Sequence, residues 1–230
     1  MEISPIFVHA HKQTLDLNTD EILRYMGCRG EVSTEVYTLA KRAAEVLKNA
    51  IACKACYRFA SVDLSQSNCV DFGFLKLCSS ALAKQLNSCT KVCIFAATIG
   101  VEADRLIMRA EREEPSFALA LQAAGAAAIE CYCDYLCANV LGETEVSKGL
   151  RMGTRFSVGY ADLDLKYQKS ILEALDATRK IGITLTDGCM MIPTKTVTAF
   201  VGMGHSCTEV SDKCQRCANR NCTFRKEEGK

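Results

Sequence analysis

The stretch from Pro115 to Leu141 constrains the fold more than any other, because it has no internal proline and is predicted to form one long helix. Pro115 suits the first turn of a helix, and Gly142 suits the position just after the last turn. Residues 123–128 are all alanine except for Gly125. Such small side chains let another element pack closely against the helix, so we expect it to lie in the core.

The rest of the chain mixes helices and strands without regular alternation, which is typical of an α+β fold. Apolar spacing and capping residues predict further helices at residues 20–25, 33–52, 74–86, 101–112 and 165–181. Runs of β-branched and apolar residues predict strands at 57–71, 91–97, 189–192 and 196–201. The last two strands are predicted to form a hairpin that turns at Pro193, and the Gly-rich segment 142–159 is predicted to be a loop.

The composition excludes several classes of protein. An apolar fraction of 49% excludes a disordered chain, and 28 basic against 27 acidic residues leave a net charge of +1. This balance gives no reason to expect nucleic acid or a membrane surface as a partner. The first residues lack the apolar core of a secretory signal, and the most apolar run, residues 117–129, is too short to cross a bilayer. We therefore expect a soluble cytoplasmic protein.

The 15 cysteines have two expected roles. In a reducing cytoplasm they do not form a disulfide framework, and most are expected to be small buried apolar residues. Four of them lie instead in a polar stretch near the C-terminus, at Cys207, Cys214, Cys217 and Cys222. Their thiolates suit a zinc ion or an iron–sulfur cluster, with the cluster favoured, and the alternative is a tail of free thiols. We therefore divide the chain into a domain at 1–204 and a metal-binding tail at 205–230.

Residues 155–160 have the composition of a ligand-binding segment. Arg155 can hold a carboxylate through two parallel hydrogen bonds. Gly159 lets a ligand approach the main chain, and Tyr160 can stack on a base or face a cation. These properties suit an amino-acid ligand with a cationic centre and a ring. The alternative is a purely structural loop, since loops use glycine routinely.

Several motifs accompany Arg155-x-x-x-Gly159-Tyr160 in a fixed order along the chain. Downstream lie Gln168 in a predicted helix, IGITLT at 181–186, MMIP at 190–193 and TVT at 196–198; upstream lie ILRYMG at 22–27 and ATIG at 97–100. Together these motifs resemble the activation domain of vitamin B12-dependent methionine synthase, with the best match over residues 124–201. The chain departs from that family after Tyr160, where a proline-rich stretch is replaced by residues 161–164, ADLD.

The resemblance implies a single domain with a bent, mostly antiparallel sheet flanked by helices, and S-adenosylmethionine as its ligand. Arg155 would hold the methionine carboxylate, and Tyr160 would lie near the sulfonium or the corrin ring. The ligand would be lined, chiefly through the main chain, by Phe156, Ser157, Val158 and Gly159. Glu130 matches an acidic residue of the family and would face the positive charge of the ligand; a solvated position on its helix is the alternative.

The chemistry that the resemblance implies is the repair of a corrinoid. One electron and a methyl group from S-adenosylmethionine restore methylcobalamin, so the protein must orient its ligand and needs no catalytic base or nucleophile. The partner would be a separate cobalamin-binding methionine synthase or a related corrinoid protein, with a flavodoxin or a ferredoxin as electron donor. Two alternatives stay open: a non-enzymatic adaptor or sensor of a corrinoid system, and an iron–sulfur reductive activator of a corrinoid protein.

Overall fold

A five-stranded antiparallel sheet lies at the centre of the computed structural model, which describes residues 5–11, 15–141, 149–205 and 207. In spatial order its strands are β1 (Phe7–Ala10), β2 (Lys54–Ser61), β5 (Lys91–Thr98), β9 (Thr196–Gly204) and β6 (Arg151–Phe156). Every neighbouring pair in this sheet is antiparallel. The α+β class predicted from the sequence, with a mostly antiparallel sheet and flanking helices, is therefore confirmed.

Two short hairpins accompany the central sheet. They are formed by β3 (Cys69–Asp71) with β4 (Lys76–Cys78), and by β7 (Thr184–Leu185) with β8 (Met191–Ile192). The predicted hairpin between residues 189–192 and 196–201 is wrong, because β8 pairs with β7 while β9 inserts between β5 and β6. Both segments are apolar, and the partners of β9 lie far away in sequence, so the local pattern carries no information about its pairing.

Four helices cover one face of the sheet, namely α1 (Thr19–Tyr25), α2 (Thr34–Lys48), α4 (Val101–Glu113) and α5 (Pro115–Tyr135). α5 continues as a π-helical segment, Leu136–Leu141. The capping prediction at Ser33 is confirmed, since its hydroxyl accepts a hydrogen bond from the Val36 N–H at 3.4 Å. α2 ends at Lys48, about one turn before the predicted end at residue 52.

Three short helices lie on the opposite face: α3 (Ser80–Leu86), α6 (Tyr167–Ala174) and α7 (Ala177–Ile181). The helix predicted at 74–86 is half wrong, because β4 occupies its first part and α3 starts only after Ser79. The helix predicted at 165–181 is broken at Asp176, which has a φ of +50°. Neither proline nor glycine marks this break, so the sequence does not reveal it.

The strands alternate their side chains between two hydrophobic cores. On β9, Val201 and Met203 join the core under α5, whereas Phe200 joins the core under α3 and α6. β5 shows the same alternation, and almost all of its residues are buried. The central strands β5 and β9 are therefore buried on both faces, and a site on either face is built from side chains of alternating strand residues.

α5 crosses the sheet as the main helix of the first core. Ala124 and Ala128 have no exposed surface, so the prediction of tight packing around its small residues is confirmed. By length and composition alone, Pro115–Leu141 could cross a membrane, but 67% of its most apolar window is buried inside the protein, as in a core helix. Its polar positions, Glu130 and Asp134, face the edge of the sheet and contact β6.

Of the ten free cysteines that the structure describes, five are buried and five are only partly buried, so the expectation that most are buried holds for half of them. Burial raises the pKa of the Cys53 and Cys56 thiols to about 12, which keeps both protonated. The expectation of no disulfide meets one exception, since Cys69 and Cys78 are bonded to each other across β3 and β4. These two residues lie directly opposite one another in the hairpin register.

Candidate functional site

β6 places Arg155 on the α5 side of the sheet edge. Arg155 lies opposite Val201 of β9, and Phe156 lies opposite Phe200, so the two side chains point to opposite faces. The prediction of a loop at 142–159 is wrong for residues 151–156, which form a strand. Residues 142–148 lie outside the described residues. The apolar partner β9 makes this short polar stretch extended, which no local pattern indicates.

Two carboxylates of α5 hold the Arg155 side chain. Its Nη2 lies 2.5 Å from Glu130 Oε2 and 2.9 Å from Asp134 Oδ1. Glu130 and Asp134 are one helical turn apart and therefore share a face of α5. The structure thus brings together Arg155 and Glu130, which were selected from the sequence. It adds Asp134, which was not selected although its spacing from Glu130 already placed it on the same face.

The burial of this ion cluster is uneven. The Arg155 side chain is 9% exposed, Glu130 is 40% exposed and Asp134 is 76% exposed. Arg155 Nη1 is buried and has no hydrogen-bond partner within the described part of the chain. The arginine therefore has one donor group left over, beside a carboxylate that is half open to solvent and another that is largely open.

The cluster carries a net negative charge. Burial opposes ionisation of Arg155, but the pKa of its guanidinium is still raised, and the negative charges of Glu130 and Asp134 act in that direction. One arginine cation against two carboxylates leaves one negative charge in excess. A ligand that offers a cation close to a carboxylate would complement both signs at this site.

The pairing of β6 with β9 ends at Phe156. β6 pairs with β9 from Gly204 down to Phe200, so residues 196–199 of β9 are paired with β5 on one side and have no described strand on the other. The segment from Ser157 to Tyr160 begins at this point. A main-chain edge with an irregular segment beside it is a place where an extended ligand can lie against backbone groups.

Residues 157–163 form a compact turn. The Gly159 N–H donates to the Leu163 carbonyl at 2.8 Å, and the Leu163 N–H donates to the Tyr160 carbonyl at 3.1 Å. Gly159 has a φ of +85°, which favours glycine, and an added Cβ would lie 3.1 Å from Leu165 Cδ2. Val158 is buried in the second core, whereas the Tyr160 side chain is 68% exposed. The turn therefore anchors its first residues and presents Tyr160 to solvent.

The cysteine tail can be followed only at its start. Cys207 is buried, and its Sγ lies 3.1 Å from Cys89 Sγ. Cys214, Cys217 and Cys222 lie outside the described residues. Within residues 5–11, 15–141, 149–205 and 207, no three or more His, Cys, Asp or Glu side chains are grouped to hold a metal ion. Metal binding by the tail stays a prediction.

Two comparisons with known proteins bear on this site. A family model described as "Vitamin B12 dependent methionine synthase, activation domain" matches residues 77–211. A crystal structure of the MetH reactivation domain bound to AdoHcy superposes with a TM-score of 0.63 at 13% sequence identity, covering 90% of this chain and 82% of that chain. No curated protein sequence matches this chain. At this identity the structural similarity shows a shared fold, and the family model reaches across β6, the turn and β9.

Proposed function

Because the chain belongs to the family of vitamin B12-dependent methionine synthase activation domains, we propose that it binds S-adenosylmethionine along Arg155–Tyr160 and supports reductive methylation of cobalamin. The cobalamin would be carried by a separate methionine synthase or a related corrinoid protein. Family membership supports a role in cobalamin reactivation. The ligand, the residues that hold it and the action on a separate partner chain are the parts that this proposal adds.

The observation that carries the proposal is the ion cluster at the head of the segment. S-adenosylmethionine has a carboxylate, an ammonium and a sulfonium, and therefore one net positive charge. The cluster of Arg155, Glu130 and Asp134 has one net negative charge. Arg155 Nη1, which has no hydrogen-bond partner among the described residues, would donate to the ligand carboxylate, while Glu130 and Asp134 would accept from its ammonium.

The rest of the segment suits the remainder of the ligand. The turn at Gly159 leaves the main chain accessible on one side, and the edge of β9 at residues 196–199 adds further backbone groups. Tyr160 projects from the surface, where its ring can contact the sulfonium or an approaching corrin. These residues would bind and orient the methyl donor, which is catalysis by proximity and not by a base or nucleophile.

The reaction itself takes place between the ligand and the partner. An electron reduces cobalt(II) to cobalt(I), which takes the methyl group from the sulfonium and leaves S-adenosylhomocysteine. A flavodoxin or a ferredoxin would supply the electron. The work of this chain is then to hold the sulfonium methyl group at the surface marked by Tyr160, within reach of the partner's cobalt.

Calorimetry with S-adenosylmethionine tests ligand binding. We expect the wild type to bind, Arg155→Ala to lose measurable heat, and Arg151→Ala to bind like the wild type. Arg151 is the matched control, since it lies on the same strand but is exposed. An absence of heat with the wild type, or equal affinity in Arg155→Ala, would contradict the proposal and favour an adaptor that keeps only the fold.

Rescue of a cobalt(II) corrinoid protein tests the rest of the proposal. The assay combines the chain, S-adenosylmethionine, a reductant and the inactive partner, and it follows the appearance of methylcobalamin in the visible spectrum. A triple serine variant at Cys214, Cys217 and Cys222 separates methyl transfer from the iron–sulfur alternative. Full rescue by this variant with a chemical reductant supports the methyl-donor function, and loss of rescue despite intact ligand binding supports the reductive activator.

A further inference from the structure

The turn that follows Tyr160 is attached to a helix from a distant part of the chain. One oxygen of Asp162 accepts hydrogen bonds from the Ser79 hydroxyl at 2.5 Å and the Ala81 N–H at 3.2 Å. The other accepts from the Ser80 N–H at 2.7 Å and the Ser80 hydroxyl at 2.5 Å. A single carboxylate thus takes four donors at the first turn of α3, about 80 positions away in sequence.

This carboxylate is ionised under all ordinary conditions. The hydroxyls of Ser79 and Ser80 hold the pKa of Asp162 well below its usual range, and this effect exceeds that of burial. The main-chain N–H groups of Ser80 and Ala81 act in the same direction. The contact to α3 is therefore charge-assisted through all four bonds, although Asp162 lies at the surface.

The attachment point on α3 is fixed to the core. Leu82 and Leu86 of this helix have no exposed surface, and Ser79 caps the helix by accepting from the Leu82 N–H at 3.0 Å. In the last turn of α3, Gln85 Nε2 donates to Thr154 Oγ1 at 2.8 Å. α3 therefore contacts the ligand-binding segment at both ends, directly before Arg155 and shortly after Tyr160.

The turn itself needs such support. Ala161 has a φ of +52°, a conformation that residues with a Cβ adopt only when the surrounding structure enforces it. Asp162 is the next residue, and its side chain fixes where the turn lies relative to the sheet. Without that anchor, a more relaxed backbone at Ala161 would move both Gly159 and Tyr160.

We infer that Asp162 is a positioning residue for the methyl-donor site, holding the turn at 157–163 against α3 so that the Gly159 main chain and the Tyr160 ring face the ligand. The inference rests on the proposed function. It does not require Asp162 to touch the ligand, because its effect passes through the shape of the turn. In its absence the turn would reach the binding-competent shape only part of the time.

The test compares Asp162→Ala with Asp164→Asn in the full chain. Asp164 is the matched control, since it lies in the same loop and accepts from the Lys166 N–H at 2.9 Å without contacting α3. We expect Asp162→Ala to weaken S-adenosylmethionine binding about tenfold. This corresponds to a turn that adopts its ligand-binding conformation about a tenth of the time. Asp164→Asn should bind like the wild type.

Amide hydrogen exchange distinguishes positioning from general destabilisation. In Asp162→Ala, the Gly159 and Leu163 amides should exchange faster, while the amides of β5 and β9 keep their protection. Ser80→Ala removes one of the four donors, and Asp162→Ala should weaken binding less in that background than in the wild type. Asp162→Asn keeps acceptor capacity and should fall between the wild type and Asp162→Ala. It serves as the measured variant if the alanine change prevents folding.

The two proposals fail in different ways. Unchanged exchange at Gly159 in the Asp162 variants overturns the inference, whether or not the wild type binds ligand. Equal affinity of the wild type and both Asp162 variants also overturns it and leaves the proposed function intact. No heat with the wild type overturns the proposed function, and the exchange data then decide alone whether Asp162 holds the turn.

Discussion

The two ends of the segment 155–160 differ in how they are held. At one end the Arg155 side chain is buried under α5 and fixed by Glu130 and Asp134. At the other end Tyr160 is exposed, and its position depends on a turn with two residues in left-handed conformations and on Asp162. The buried end stabilises the fold and, under the proposed function, would recognise the charges of the ligand. The exposed end contributes little to stability, so its conformation is available for function.

The largest effect on the free energy of unfolding is expected at the buried end. Glu130→Gln leaves the buried Arg155 guanidinium with Asp134 alone, and we expect the protein to lose about 2 kcal/mol after allowing for the partial exposure of Glu130. Asp134→Asn should cost under about 0.5 kcal/mol, because Asp134 is mostly solvated. Urea denaturation of both variants measures the difference. If both variants lost the same free energy of unfolding, Glu130 would not be the main partner that stabilises the buried Arg155 side chain.

A smaller effect is expected inside the turn. Gly159→Ala places a Cβ at a φ of +85° and close to Leu165, which we expect to cost about 1 kcal/mol. Gly188→Ala is the control, because Gly188 lies in an exposed turn and an added Cβ would meet only Thr186 Oγ1 at 3.9 Å. Urea denaturation again provides the measurement. A Gly159 variant as stable as the Gly188 variant would mean that the turn relaxes freely and is not held in shape.

A second contrast, between features set by neighbouring residues and features set by distant ones, explains what could be predicted from the sequence. α4 is predicted almost to the residue, and the predicted helix from Pro115 to Leu141 is matched by α5 together with its π-helical continuation. Long periodic apolar patterns and a proline or glycine at the ends are local signals. The resemblance selects Arg155 and Glu130 as two separate ligand contacts, and the ion pair between them is seen only in the structure. β6 was missed, since a short polar strand depends on β9 for its extended form.

Asp162 illustrates why the rest could not be predicted. In the sequence it is one of two aspartates in a polar loop, and nothing local separates it from Asp164. Its four donors belong to a helix start that was itself misplaced, since residues 74–86 were predicted as one helix. A contact between two irregular segments distant in the chain leaves no periodic pattern in either of them.

The smallest effect on the free energy of unfolding is expected at Tyr160. A Tyr160 variant also gives the sharpest test of the difference between the buried and the exposed end of residues 155–160. Tyr160→Ala should change the free energy of unfolding by less than about 0.5 kcal/mol, because the ring is largely solvated. Its rescue of a cobalt(II) corrinoid protein should nevertheless fall clearly below that of the wild type, since under the proposed function the ring would lie where the methyl group and the corrin meet. Tyr37→Ala, a partly exposed tyrosine on α2, is the control and should keep full rescue. A Tyr160 variant that is destabilised like Glu130→Gln would show that the exposed end is structural. A stable variant with full rescue would show that the ring takes no part in presenting the methyl donor.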